Sequence, residues 1–167
     1  AVLVLVVAGL ATGLAGNTAA QSADIVVAAN GSAEYTSIQN AVDNASDTAR
    51  IEIEAGTYTE AVVVDKNVTI DAPNGATITN GSAVASRDGV RITDNAAPDL
   101  SGLTLTGWSN AINAYESTGD WTVADTTVTD VADGVDASYS TGDWQLTNTT
   151  IRSASEYGIV AVGTVGG

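Results

Sequence analysis

Asp133 and Asp136, three residues apart, are the chain's best-spaced acid/base candidates, and Arg91 falls in the same repeat pattern. Such a set could exchange a proton between two carboxyls, or bind calcium, while the guanidinium neutralises a substrate carboxylate. An acid-rich chain also produces this spacing as a plain solvated face. Trp121 and Trp144 offer aromatic rings to a sugar, with Asn113 as a polar partner, or they pack at a corner and bury their area there. Asp120 and Asp143, each directly before one of these tryptophans, could share a calcium ion or serve as turn residues. No cofactor is required by these groups, and calcium is the one ion they suggest.

Other chemistry is excluded by composition. The 167 residues contain neither Cys nor His, which removes disulfides, thiolate and imidazole metal sites, Ser-His-Asp triads and cysteine nucleophiles. Twenty acids against five bases give a net charge of −15, a poor surface for nucleic acid. The 44% apolar content supports a core rather than a disordered chain. Lys66 is the only lysine, against 14 Asp and 6 Glu, a balance that keeps a protein soluble in very high salt and reads as halophilic.

No charged side chain occurs in residues 1–23, and Ala1 to Gly16 is a run of apolar and small residues. This has the character of a signal-peptide core and cleavage region, lacking its basic start, and implies a secreted or cell-surface protein. The run is shorter than the roughly 20 residues of a membrane span, so no span is expected in the mature chain unless the leader is retained as an anchor. Sequons at Asn30, Asn44, Asn67, Asn80 and Asn148 fit an exported glycoprotein.

The elements that must position these residues follow from periodicity. Ile38, Ala41, Val42 and Ala45 lie on one helical face, with Thr36 as cap and Gln39 completing a capping box, which predicts a helix over 37–46 within a capping segment 24–50. The period then falls to two at Ile51/Ile53, Val62/Val64 and Val68/Ile70, as in short strands. Residues 117–131 repeat at 140–154 with a shift of 23, including Ser-Thr-Gly-Asp-Trp in both copies. Val68, Val90, Ile112, Val135 and Ile159 form an apolar column, and Thr69, Arg91, Asn113, Asp136 and Val160 an outward one. Asp88, Asn110 and Asp133 make a further column just before it. Repeats of short strands without intervening helices predict a parallel β-helix over 51–167, with about five coils stacked at about 4.8 Å.

The stretches Thr36–Val42, Ile51–Glu60 and Val62–Ile70 resemble the N-terminal part of the pectin-lyase-like right-handed parallel β-helix superfamily, over roughly residues 30 to 161. The resemblance implies an all-β, right-handed parallel β-helix with three short strands per coil, plugged by the N-terminal helix. It also implies a polysaccharide or cell-surface glycan as partner. The methylesterase and polygalacturonase signatures of that superfamily do not occur in the chain. A surface protein that binds or presents carbohydrate without catalysis is therefore the expectation. A pectate-lyase-like or pectin-methylesterase-like enzyme and an anchored structural or filament subunit are the alternatives.

One consequence of composition is measurable without any structure. Uncompensated carboxylates repel at low ionic strength, whereas the Debye length shrinks to about 3 Å at 1 M salt. The melting temperature is expected to rise strongly from dilute buffer to molar KCl; no change would refute the halophilic reading.

Overall fold

The computed structural model describes residues 5–6, 23–81 and 87–163. The leader expected at 1–23 lies outside the described residues except for Leu5, Val6 and Ala23, as does the chain after Gly163. In chain order the elements are β1 (Leu5–Val6), β2 (Ile25–Val27), α1 (Ile38–Asn44), β3 (Arg50–Ile53), β4 (Gly56–Tyr58), β5 (Val62–Val64) and β6 (Thr69–Thr79). They continue as β7 (Asp88–Ile92), β8 (Asp99–Thr106), β9 (Asn110–Asn113), β10 (Trp121–Ala124), β11 (Thr127–Asp136), β12 (Trp144–Thr147) and β13 (Thr150–Val160).

Alternating strands this short cannot bury an inward face alone, so each coil closes against the next through parallel pairs. The result is an all-β parallel β-helix of about six turns, with one helix among the described residues. Inward columns on three faces fill its interior. On the first face Ile51, Ile70, Leu100, Val123 and Leu146 stack in register. Tyr58, Ile78, Leu105, Val128 and Ile151 do so on the second. The third carries Val62, Val90, Ile112, Val135 and Ile159. All but Leu146 and Ile159, which belong to the last coil, are buried. Strand β1 runs antiparallel along β13, Leu5 opposite Ile151.

Two expected register assignments are corrected. Val62, not Val68, lies under Val90, and Val63, not Thr69, heads the outward column of Arg91, Asn113 and Asp136. Val68 is buried just before β6, whose Thr69 and Ile70 pair with β3 and β8 on the first face. The step from Val62 to Val90 is 28 residues, against 22 from Val90 to Ile112. The extra residues fall between β6 and β7 and in the irregularity of β6 between Asp71 and Ala76, and a search at constant period slips there to the next apolar pair.

The corners are fixed by backbone conformation. At the first, Gly102, Asp125 and Asn148 occupy equivalent positions with φ of 71°, 50° and 48°. Gly107, Asp130 and Ser153 repeat this at the second, and Asp94, Glu116, Tyr139 and Gly163 at the third, all with positive φ. Each such non-glycine residue costs roughly 1–2 kcal/mol of backbone strain. Asn and Asp tolerate the conformation best, which accounts for their frequency at these positions.

Helix α1 packs against β2, β3 and β5 through Ile38, Ala41 and Val42, the predicted apolar face. Its cap is Ser37 rather than Thr36: the Ser37 side chain accepts from the Asn40 amide. Gln39 makes no capping box. Its side-chain amide instead mimics a strand, accepting from Val63 N at 2.6 Å and donating to Val63 O at 3.2 Å, which satisfies the open edge of β5. Charged groups from the second coil hold both helix ends. Glu60 accepts from the Ile38 and Gln39 amides and from Ser37 Oγ, while Lys66 Nζ donates to the carbonyls of Val42, Asp43 and Ala45. These arrangements satisfy terminal amides and carbonyls and oppose the helix dipole.

Chemical denaturation checks this account. Lys66→Met leaves three terminal carbonyls without their donor and should cost about 1–3 kcal/mol. Gly102→Ala places a Cβ 2.2 Å from the Ala72 carbonyl oxygen at positive φ and should cost about 2 kcal/mol or more. Wild-type stability in Gly102→Ala would contradict the stacked corner.

Candidate functional site

The third face, built by β5, β7, β9 and the C-terminal halves of β11 and β13, carries most of the polar residues singled out in the sequence. Its outward columns are Asp88, Asn110, Asp133 and Tyr157, and Val63, Arg91, Asn113, Asp136 and Val160. Alternation with the apolar residues beside them turns Arg91, Asn113 and Asp136 outward, whereas Asp88, Asn110 and Asp133 each precede two successive buried residues, where strict alternation is broken.

The ladder is internally bonded. The Asp88 carboxylate accepts from Asn110 Nδ2 at 2.9 Å and from Asn113 Nδ2 at 3.0 Å. Asn113 Oδ1 accepts from the Tyr115 amide, and Asp136 Oδ1 from the Ser138 amide, each turning the chain into the third corner. Asp133 Oδ1 accepts from the Tyr157 amide at 3.1 Å. Burial pushes the Asp133 carboxyl above its usual range, offset in part by that amide, with Glu156 and Asp136 adding like charge.

Arg91 and Asp136 share a column, but Asn113 stands between them, so they are about 9.6 Å apart at two strand spacings. No hydrogen bond or ion pair joins Arg91 to Asp133 or Asp136. The proposed catalytic trio shares one face without converging on one point.

The tryptophans stack as the repeat implies, with ring centroids 5.7 Å apart and planes 11° from parallel. Trp121 is only 1% exposed and its Nε1 donates to the buried Ser117 Oγ, so it has no face for a sugar ring. That corrects its assignment as a carbohydrate platform: burying the large ring inside the coil wins over exposing it. Trp144, half-buried in the last coil, lies against it. Asp120 accepts from the Asp143 amide, which makes it a turn partner to the next coil. Among the described residues no three His, Cys, Asp or Glu side chains converge as a metal site. The five sequon asparagines divide: Asn44 and Asn148 donate Nδ2 to Asn40 O and Asp125, whereas Asn30 and Asn67 are exposed and accept backbone amides through Oδ1. Asn80 is half-buried, with a buried Oδ1 that has no partner.

The structure adds residues that sequence reasoning missed. Tyr115, Tyr139 and Tyr157 are 48%, 51% and 61% exposed, against full burial for most large apolar side chains. Tyr115 and Tyr139 meet edge to face at 5.6 Å. Register places Tyr115 over Ser138 and Glu116 under Tyr139, so the pair is diagonal and invisible in any single column. Beside it lies an open recess of about 410 Å³ lined by Arg91, Ile92, Thr93, Asp94, Tyr115 and Glu116. The Glu116 charge, first among several causes, raises the Tyr115 hydroxyl pKa. Comparison with protein-family models, with curated proteins and with solved structures gives no match. Among the described residues no helix is long and apolar enough to cross a membrane.

The raised Asp133 pKa makes a signed prediction. The folded chain binds this proton more tightly than the unfolded chain, so the group's contribution favours folding at low pH and is lost as pH rises through the folded pKa. Asp133→Asn should therefore raise the melting temperature at neutral pH, with the gain vanishing at pH values below the ordinary aspartate range. A lower melting temperature at neutral pH would show that the charge is stabilising.

Proposed function

We propose that this chain is a secreted or cell-surface glycan-binding β-helix without catalytic activity, and that the third face contacts the glycan. The observation that carries the reading is the row of exposed tyrosines, Tyr115, Tyr139 and Tyr157, in successive coils beside an amide and carboxylate ladder. Aromatic rings pack on the apolar faces of sugars, and neighbouring planar polar groups bond the hydroxyls. The resemblance to the pectin-lyase-like superfamily supports a polysaccharide partner, and the uncharged leader supports export. The separation of Arg91 from Asp136 favours binding over turnover.

Asp133 favours a second, catalytic reading, since a carboxyl with a raised pKa on a polar face suits proton transfer. The two readings separate in one set of assays. Calorimetric titration against soluble polysaccharides should detect binding, and Tyr115→Ala with Tyr139→Ala should weaken it about tenfold or more without loss of folding. Incubation with polygalacturonate and calcium should give no unsaturated product. Turnover that disappears in Asp136→Asn would overturn the non-catalytic assignment.

A further inference from the structure

Resting on the glycan-binding reading, we propose that the third face selects polysaccharides that carry no carboxylates, and aligns them with the solenoid axis. The charge on this face and its corner is one-sided. Asp88, Asp94, Glu116, Asp133, Asp136 and Glu156 stand against two guanidiniums, those of Arg91 and of Arg87 just before β7. Arg91 and Arg87 are exposed, and Arg91 makes no ion pair among the described residues, so two positive charges face six carboxylates. A polyuronate laid along these coils would set a like charge beside them at each sugar, and like-charge juxtaposition is the repulsive element from which specificity is built.

Hydrogen-bond inventory points the same way. The two ladder amides, Asn110 Nδ2 and Asn113 Nδ2, each donate to Asp88, which leaves the Arg91 guanidinium as the main side-chain donor of the outward columns. The carboxylates add acceptor capacity: Asp133 and Asp136 each use one carboxylate oxygen on a backbone amide, through Oδ1, and leave Oδ2 unbonded. Ionised carboxylates only accept, so the complementary ligand is rich in donors, as a chain of sugar hydroxyls is. A uronate group removes donors and adds charge. Geometry sets the direction, because equivalent positions recur about every 4.8 Å along the axis, close to the length of one pyranose unit. Tyr115 and Tyr139, in adjacent coils, then lie under successive sugars.

The test compares one polymer in two charge states: polygalacturonate and its fully methyl-esterified form, with a neutral β-glucan alongside, titrated against the full chain. At about 0.15 M salt the Debye length is about 8 Å, and the ester should bind at least about tenfold tighter than the acid. At about 1 M salt, where the length is about 3 Å, the preference should narrow. Circular dichroism at both salts confirms that the chain is folded. Asp94→Asn with Glu116→Gln, both exposed positions, should narrow the preference at low salt several-fold; an unchanged preference would count against the charge account. Equal or tighter binding of the free acid at low salt overturns the inference while leaving glycan binding in place. Failure of every polymer to bind overturns the functional reading and the inference with it.

Discussion

Everything in this molecule depends on coils stacking in register, because no coil has a core of its own. Each contributes one or two inward residues per face, such as Val62 and Val64 or Val90 and Ile92, and these are covered by their equivalents above and below. The constraint propagates outward. If Val90, Ile112 and Val135 coincide on the inside, then Arg91, Asn113 and Asp136 coincide on the outside. A one-residue slip would exchange the two sets and bury charge, so the apolar interior also sets the geometry of the polar ladder.

The corners enforce the same register by sterics. Left-handed residues recur at equivalent points of successive coils, and glycines at other turn positions also allow no side chain: a Cβ on Gly142 would come 2.2 Å from the Gly119 carbonyl oxygen. Buried hydroxyls supply the polar counterpart. Ser117 and Ser140 bond to each other across coils, and Ser140 also donates to the Ala114 carbonyl. The aromatic residues divide according to which side of the corner they occupy. Trp121 and Tyr58 point inward and contribute packing, while Tyr115 and Tyr139 at the third corner and Tyr157 on β13 stay in solvent, on the face proposed for recognition. At the N-terminal end Glu60, Lys66 and Gln39 dock the helix where a further coil would otherwise expose an edge.

The solenoid was legible in the sequence because stacking writes itself into spacing. The shift of 23 between the Trp121 and Trp144 segments is the coil length, and the third-face column from Val90 to Ile159 follows from it directly. The misplaced Val68 marks where that logic failed: period carries no information across a coil of different length, and the true partner, Val62, lies 28 residues back. The tyrosine pair was illegible for another reason. Tyr115 and Tyr139 are neighbours only diagonally and across a left-handed corner, so neither residue type nor spacing links them. Burial of Trp121 likewise depends on which way the corner turns, which the repeat alone leaves open.

Engineered disulfides test the stacking most directly, since the native chain has no cysteine to compete. Val63 and Arg91 are opposite one another on adjacent coils at about 4.8 Å, a separation a disulfide can span, whereas Thr69 lies on a different face. Val63→Cys with Arg91→Cys should oxidise to an intrachain disulfide in the folded protein, read by mass and gel mobility, and Thr69→Cys with Arg91→Cys should remain reduced. The opposite pattern would contradict the register on which the interior, the corners and the recognition face all rest.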